Sequence, residues 1–336
     1  MMEQFNDLSF SVIALTAALN ERPYAPGQIS ASGIFEEDFQ AVTTVKIERE
    51  GKFLNLVEPS PRGGPGETFG GDDRELVPFE MHHFQIDDAI FAEEVQGVKM
   101  LGSVNQLETL QARIDSRMDR YARSLDATLE HQRVGAIKGL VTSKSGKVLH
   151  DLYARFGLAA PAPVAIGIDA DVAGLASALK AEVILPLEDD LDATYSGLHA
   201  YCGPEFHAAL WDQKEVRETF IGWSDAATLR NGAPDTFTFG GVVWERYRTG
   251  KSARAQAGAV DFIAPDSARI VPVGVPGLFM TIFGPADYEE TVNTIALPRY
   301  MRQYPMPNGK GRNLEAQSNS LSICTRPAAL RHLTIG

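Results

Sequence analysis

The chain has 336 residues, with 31 Lys and Arg against 44 Asp and Glu for a net charge of −13, and 44% of it is hydrophobic. That mixture is globular, enough for one large domain or two ordinary ones, and the acidic excess excludes a free-standing nucleic-acid binder, which needs Lys and Arg to displace counterions. No basic run offers an anchor to anionic membrane, and two cysteines, Cys202 and Cys324, make neither a disulfide framework nor a closed thiolate metal site, which points to a reducing cytoplasm.

The first apolar stretch, residues 10–19, follows Glu3 and Asp7 and is too short and too interrupted for a signal or a membrane span; it predicts a short helix ended by Asn20 and Pro23. From residue 41 to 84 the pattern is extended. Val45 and Ile47 alternate with charges, Phe53 opens a second apolar run, and a glycine- and proline-rich tip spans residues 59–73. The return strand, 74–84, sets Val77, Phe79 and Met81 on one face. Such a ribbon is at best marginal alone in water, so something else must cover it.

The clearest helix covers residues 103–138, with Leu107, Leu110, Ile114, Met118, Tyr121, Leu125 and Leu129 recurring at helical spacing and Gly135 and Gly139 as its natural stops. At about 1.5 Å per residue it would be ~50 Å long. Its other faces carry Arg113, Asp115, Arg117, Asp119, Arg123 and Asp126, and Asp119 with Arg123 has the favourable i, i+4 spacing. A hairpin at 140–149 follows, then a boundary at Pro161-Ala162-Pro163. Beyond it the pattern predicts a helix from Val172 that stops at Pro186, and a second helix opened by Pro204. It also predicts a strand pair around Gly240-Gly241 and strands at 269–275 and 278–283, the whole being α+β.

Candidate chemistry is thin. Gly64 to Gly70 lacks dinucleotide spacing, and Ser143-Lys144-Ser145-Gly146-Lys147 shares only Gly-Lys with a phosphate-binding loop. His82 and His83, adjacent on a strand, point to opposite faces and do not converge with Asp87 and Asp88 on one ion. Cys202 near His199 and His207 reads as a buried small residue, and Asp189, Asp190 and Asp192 as a solvated loop. No catalytic, metal or cofactor residues are assigned.

Several phrases in order carry a resemblance: Pro61-Arg62-Gly63-Gly64-Pro65, Glu94-Val95-Gln96-Gly97-Val98, Gly135-Ala136-Ile137-Lys138-Gly139, Asp151-Leu152-Tyr153 with Phe156-Gly157, Tyr288-Glu289-Glu290-Thr291-Val292-Asn293-Thr294, Leu297-Pro298-Arg299-Tyr300, and Gln317-Ser318-Asn319-Ser320-Leu321 leading to Arg326-Pro327. The chain resembles the major capsid proteins of tailed bacteriophages of the lambda gpE type, which have the Hong Kong 97 capsid fold. The resemblance implies an N-terminal arm at 1–40, an extended E-loop at 41–84, and a peripheral domain at 85–162 holding the spine helix. It further implies an axial domain at 163–290 and a C-terminal return to the peripheral domain at 291–336.

It also implies hexamers and pentamers of an icosahedral shell that encloses double-stranded DNA without sequence-specific binding, in a virion assembled in the host cytoplasm. The partners would be further copies of the chain, portal and scaffold proteins and a head decoration protein, with no membrane and no cofactor. Intersubunit contacts are expected from Val45, Ile47, Phe53, Arg62, Asp72, Asp73, Arg74, Val77 and Phe79. Leu107, Leu110, Ile114, Met118, Leu125 and Leu129 are expected to pack the spine. Lys52 with Asn308 or Asn313 is too loosely placed to imply a covalent crosslink. A nanocompartment of the encapsulin type, with the same fold and protein cargo, is the second reading, and an unfamiliar α+β enzyme the third.

Overall fold

Ser11 accepts a hydrogen bond from the Ala14 amide at 3.2 Å and so caps helix α1 (Val12–Asn20). The computed structural model describes residues 11–22, 27–50, 74–95, 110–168, 174–221, 234–250 and 261–335. After α1 come the single turn α2 (Gln28–Ala31), strands β1 (Glu36–Phe39) and β2 (Thr44–Glu50), then β3 (Arg74–Glu80), β4 (His82–Phe91) and the turn α3 (Ala92–Val95). The alternation at 44–50 and 74–80 does form an antiparallel ribbon, with Val45 opposite Phe79 and Ile47 opposite Val77. The return strand breaks at Met81, however, and β4 enters a different sheet.

The spine helix α4 (Leu110–Lys138) is described over 29 residues, about 43 Å at 1.5 Å per residue. Residue Leu107 lies outside the described residues, as does the side chain of Leu110. Ile114, Met118, Tyr121, Leu125 and Leu129 are all buried, as their spacing predicts. The helix runs through Gly135 instead of stopping there. Gly135 is small because a Cβ at that position would meet the Val141 backbone at 2.8 Å, where hairpin strands β5 (Leu140–Thr142) and β6 (Val148–Asp151) fold back on the helix; the chain turns at Gly139, φ +77°. Asp119 bonds Arg22 at 3.3 Å, which ties the helix to the residues just after α1.

Next follow the turn α5 (Leu152–Arg155), strand β7 (Val164–Ala165), and helix α6 (Leu175–Leu179), which does not stop at Pro186. A π-turn at Lys180–Ile184, in which the Leu185 amide reaches back to the Lys180 carbonyl, widens the helix just before the proline and lets it continue as α7 (Leu185–Leu191). Asp189 and Asp190 therefore sit on a helix rather than a loop, and Asp190 pairs with Arg331 at 2.6 Å. Then come β8 (Gly197–Cys202), α8 (Pro204–Asp212) with Pro204 at its first position, α9 (Lys214–Ile221), β9 (Thr236–Phe239), β10 (Val242–Arg246), β11 (Ser267–Val273), β12 (Phe279–Phe283), β13 (Tyr300–Pro305), β14 (Gly311–Cys324) and β15 (Arg331–Thr334).

Two larger sheets organise these strands. In one, the long β14 pairs with β4 on one edge and with β13 and β12 on the other, and β1 joins parallel to β12. The second has the order β7-β15-β11-β8-β10-β9. The chain passes between the sheets at residues 274–278, where Gly274 and Gly277 both have positive φ, and not near residue 290. The last strand, β15, returns to the second sheet, so residues 291–336 do not all belong to the first. Both differences have one cause: short apolar strands share one sequence pattern whichever sheet they join.

Candidate interaction surfaces

The root of the ribbon is covered by its own chain. Ile47 and Val77 are nearly inaccessible and Phe79 wholly so, with the Phe79 ring 5.6 Å from His150 and 5.7 Å from Phe156; Val45 is half-buried against the same core. These four side chains were expected to wait for a neighbouring molecule, and at this end they have found cover within the subunit. The opposite face stays open, with Leu76 54% exposed. Phe53, Arg62, Asp72 and Asp73 lie outside the described residues. Arg74 begins β3 opposite Glu50, its side chain also outside them.

At the same root, the His82 and His150 rings lie 4.5 Å apart, and His150 Nε2 meets the Glu80 carbonyl at 3.0 Å. Burial, the facing His82 and Arg155 push His150 down to about 4 against the opposing pull of that carbonyl. Burial also lowers His82, helped by Lys147 and opposed by Glu80. Both rings are thus neutral at pH 7. An unfolded histidine titrates near 6.5, so the stability they contribute is complete above that pH and is lost as pH falls toward 4. The difference in thermal midpoint between wild type and His150→Gln is expected to narrow from pH 7 to pH 4.5, and a constant difference would contradict this reading.

His83 points away from His82, with Nδ1 2.8 Å from Asn319 Oδ1 and Nε2 2.8 Å from Gln85 Oε1. Asp88 instead knots β4 to the spine helix. It accepts from Arg117, from Arg120 at 2.6 Å and from Tyr121 at 2.6 Å. Burial works to raise the Asp88 pKa, but the bonds from Tyr121, the Ala89 amide and Arg117 overcome it and hold the carboxyl below its usual range. Among the described residues, no three His, Cys, Asp or Glu side chains converge as metal ligands. Cys202 and Cys324 are fully buried, which pushes both thiols up, Cys324 to about 12.

An exposed apolar ridge is the feature that sequence reasoning missed. The Ala296 amide donates to the Gln40 carbonyl at 3.2 Å, bringing residues 39–42 beside 292–297. Val42, Val292 and Ile295 are 52%, 65% and 73% exposed, and Phe39 stacks on Phe283 at 5.3 Å with its outer face open. Apolar surface of this kind marks protein contact. Its sequence signal was weak, because scattered valines in a polar loop show no periodicity.

A family described as "Phage major capsid protein E" matches residues 11–335. A major capsid protein of Pseudomonas phage KPP10 is 26% identical over 342 residues, covering 95% of each chain, and one of Salmonella phage Felix O1 is 24% identical, covering 96% of this chain and 95% of the other. Among solved structures, the putative capsid protein of a prophage of E. coli CFT073 aligns with a TM-score of 0.57 over 97% of this chain and 99% of the other at 11% identity, a likeness of fold.

Proposed function

From the premise that the chain belongs to the phage major capsid protein E family, we propose how its parts build the shell. The protein is a major capsid protein, a structural subunit of the icosahedral head of a tailed phage, with the Hong Kong 97-type α+β fold. Copies of it assemble with one another. In our reading, residues 1–35 are the arm and 41–81 the E-loop, since β1 and β4 on either side belong to the sheet built on β14. The sheet built on β14 together with the spine helix is the peripheral domain, and the six-stranded sheet is the axial domain. The work is mechanical rather than catalytic. Portal, scaffold and decoration proteins are the further partners, and DNA is enclosed without sequence-specific contact, as suits a chain of net charge −13.

The observation that carries this reading is the asymmetry of the ribbon. Its root is fixed in the subunit's own core through Phe79, and Leu76 faces outward. Residues 51–73, if they continue the two strands at ~3.3 Å per residue, would give each arm a further reach of roughly 35 Å. A fixed root with a long reach is a clasp for an adjacent copy, and many such contacts per shell multiply a modest single affinity. Arg62 and Arg74 against Asp72 and Asp73 would set register more than strength, since exposed pairs contribute only ~0–1 kcal/mol. Deleting residues 60–73 should leave subunits folded, with a thermal midpoint within a few degrees of wild type, but abolish closed shells in electron micrographs. Unchanged shell yield and shell stability would overturn the proposal.

A further inference from the structure

The spine helix ends in a cavity of about 530 Å³ whose lining includes His131, Lys138, Asp151, Tyr153, Phe262 and Arg269. Lys138 is the last residue of the helix and Arg269 lies on β11 opposite His332. Among the described residues no carboxylate forms an ion pair with either cation, and Arg269 Nε is buried without an acceptor. Asp151, the one acid among the described lining residues, accepts from the Ala154 amide at 3.0 Å and forms no ion pair with either cation.

Two desolvated cations lining one cavity with no carboxylate in ion-pair range are costly unless something supplies one. The cost is visible in their proton affinities. Burial and Arg269 bring Lys138 down to about 8, burial brings Arg269 down to about 10 against a raising effect of Tyr153, and His131 and His332 are lowered by burial together with these same cations. Beside the cavity runs a second trough of about 520 Å³, lined by Ser124, Thr128 and Lys144 and sharing His131, Thr142 and Phe262 with the first. Together they follow the helix from Ser124 to Lys138, roughly 21 Å at 1.5 Å per residue, a length suited to an extended strand.

We propose that the Lys138–Arg269 cavity is a carboxylate receptor for a second copy of this chain, filled by Asp72 or Asp73 of that copy's ribbon as the ribbon lies along the trough. This rests on the clasp reading above and gives it a docking point. Charge complementarity selects the occupant: residues 58–75 carry Glu58, Glu67, Asp72, Asp73 and Glu75 against Arg62 and Arg74. The two aspartates are adjacent and follow Gly70-Gly71, so the chain leading into them carries no side chain to obstruct a carboxylate meeting a guanidinium.

The test compares Lys138→Gln, Asp72→Asn with Asp73→Asn, and all three together. Each of the first two should raise the subunit concentration needed for half-maximal assembly by roughly tenfold, and the combined variant should do no worse than either, because one interaction is removed only once. Lys138→Gln should at the same time leave the thermal midpoint of unassembled subunits unchanged or higher, since it removes an unpaired desolvated cation. Additive losses in the combined variant, or a lower midpoint of unassembled Lys138→Gln, would overturn the proposal. So would an inorganic phosphate effect, a midpoint of unassembled wild type raised by phosphate and not so in Lys138→Gln, if the aspartate variants assemble normally. That pattern would mean a free-anion site. If the point variants assemble like wild type while deletion of 60–73 still abolishes shells, this inference falls and the clasp stands. If the deletion is harmless, the clasp itself falls.

Discussion

Asp126→Ala should destabilise the unassembled subunit by about 3–5 kcal/mol, the usual cost of breaking a buried ion pair by removing one partner. For a chain of this size that is a fall in thermal midpoint of roughly 4–7 °C. Asp126 lies on the spine helix and pairs with Arg299 at 2.8 Å, the two side chains being only 3% and 8% exposed. Arg299 also donates to the Leu19 carbonyl at 3.2 Å, and its own carbonyl accepts from Asn20 Nδ2 at 2.8 Å. One pair therefore joins the spine, the end of α1 and the approach to β13. Truncating Asp126 leaves a guanidinium buried with its principal counter-charge gone. Replacing both partners, as Asp126→Leu with Arg299→Met, should recover most of the loss, because two apolar side chains leave no charge unpaired. Urea unfolding of the two single variants and the double variant measures the coupling; a double variant whose loss equals the sum of the singles would show that the pair is not the source.

That pair also marks where reading the sequence succeeds and where it stops. Ile114, Met118, Tyr121, Leu125 and Leu129 were legible as one buried stripe because local spacing reports the face that meets a sheet. Asp126, Glu130, Gln132 and Arg133 were not, since charged and polar residues on a helix read as solvated. In the structure the second half of the spine is enclosed on several sides, and all four are at most 4% exposed. Their partners are remote in sequence. Gln132 Nε2 donates to Ser320 Oγ at 3.1 Å, and Arg133 reaches Thr281 Oγ1 at 3.1 Å and Glu37 at 2.6 Å. No local window contains such pairs.

The phrases that carried the family resemblance acquire physical reasons in the same place. In Leu297-Pro298-Arg299-Tyr300 the Leu297 amide donates to Tyr300 Oη at 2.8 Å, the Pro298 carbonyl accepts from Ser318 at 2.8 Å, and Arg299 meets the spine. The polar stretch Gln317 to Ser320 is buried within β14, where Asn319 donates to the Pro285 carbonyl at 2.6 Å. A run of Ser, Asn and Gln looks like a surface loop by composition. Here it is a central strand whose side chains satisfy the carbonyls of the loops crossing it.

Glu130→Gln should cost nearly as much as loss of the Asp126 pair, about 3–4 kcal/mol, although it changes neither size nor shape. Glu130 is 4% exposed and accepts four hydrogen bonds: from the Ile29 amide at 2.9 Å, the Ser30 amide at 2.9 Å, Ser30 Oγ at 2.6 Å and Tyr247 Oη at 2.9 Å. Its two oxygens thereby bind α2 of the arm to the spine and to Tyr247, which follows β10 of the second sheet. A glutamine keeps one acceptor oxygen and turns an NH2 group toward two donors, so at least one buried N–H or O–H loses its partner at ~1–3 kcal/mol, and the charge assistance to the rest disappears as well. The carboxylate sits so close to the arm that a Cβ on Gly27 would fall 2.1 Å from Glu130 Cδ, so Gly27→Ala should displace the same carboxylate and act through the same contacts. Combining Gly27→Ala with Glu130→Gln should therefore cost clearly less than the sum of the two single losses. Hydrogen exchange at Ile29 and Ser30 gives the decisive reading, because these amides should lose protection in both single variants while the Leu19 end of α1 keeps it. Protection lost equally at both places would mean general loosening of the fold and would remove Glu130 from the role of a local tie.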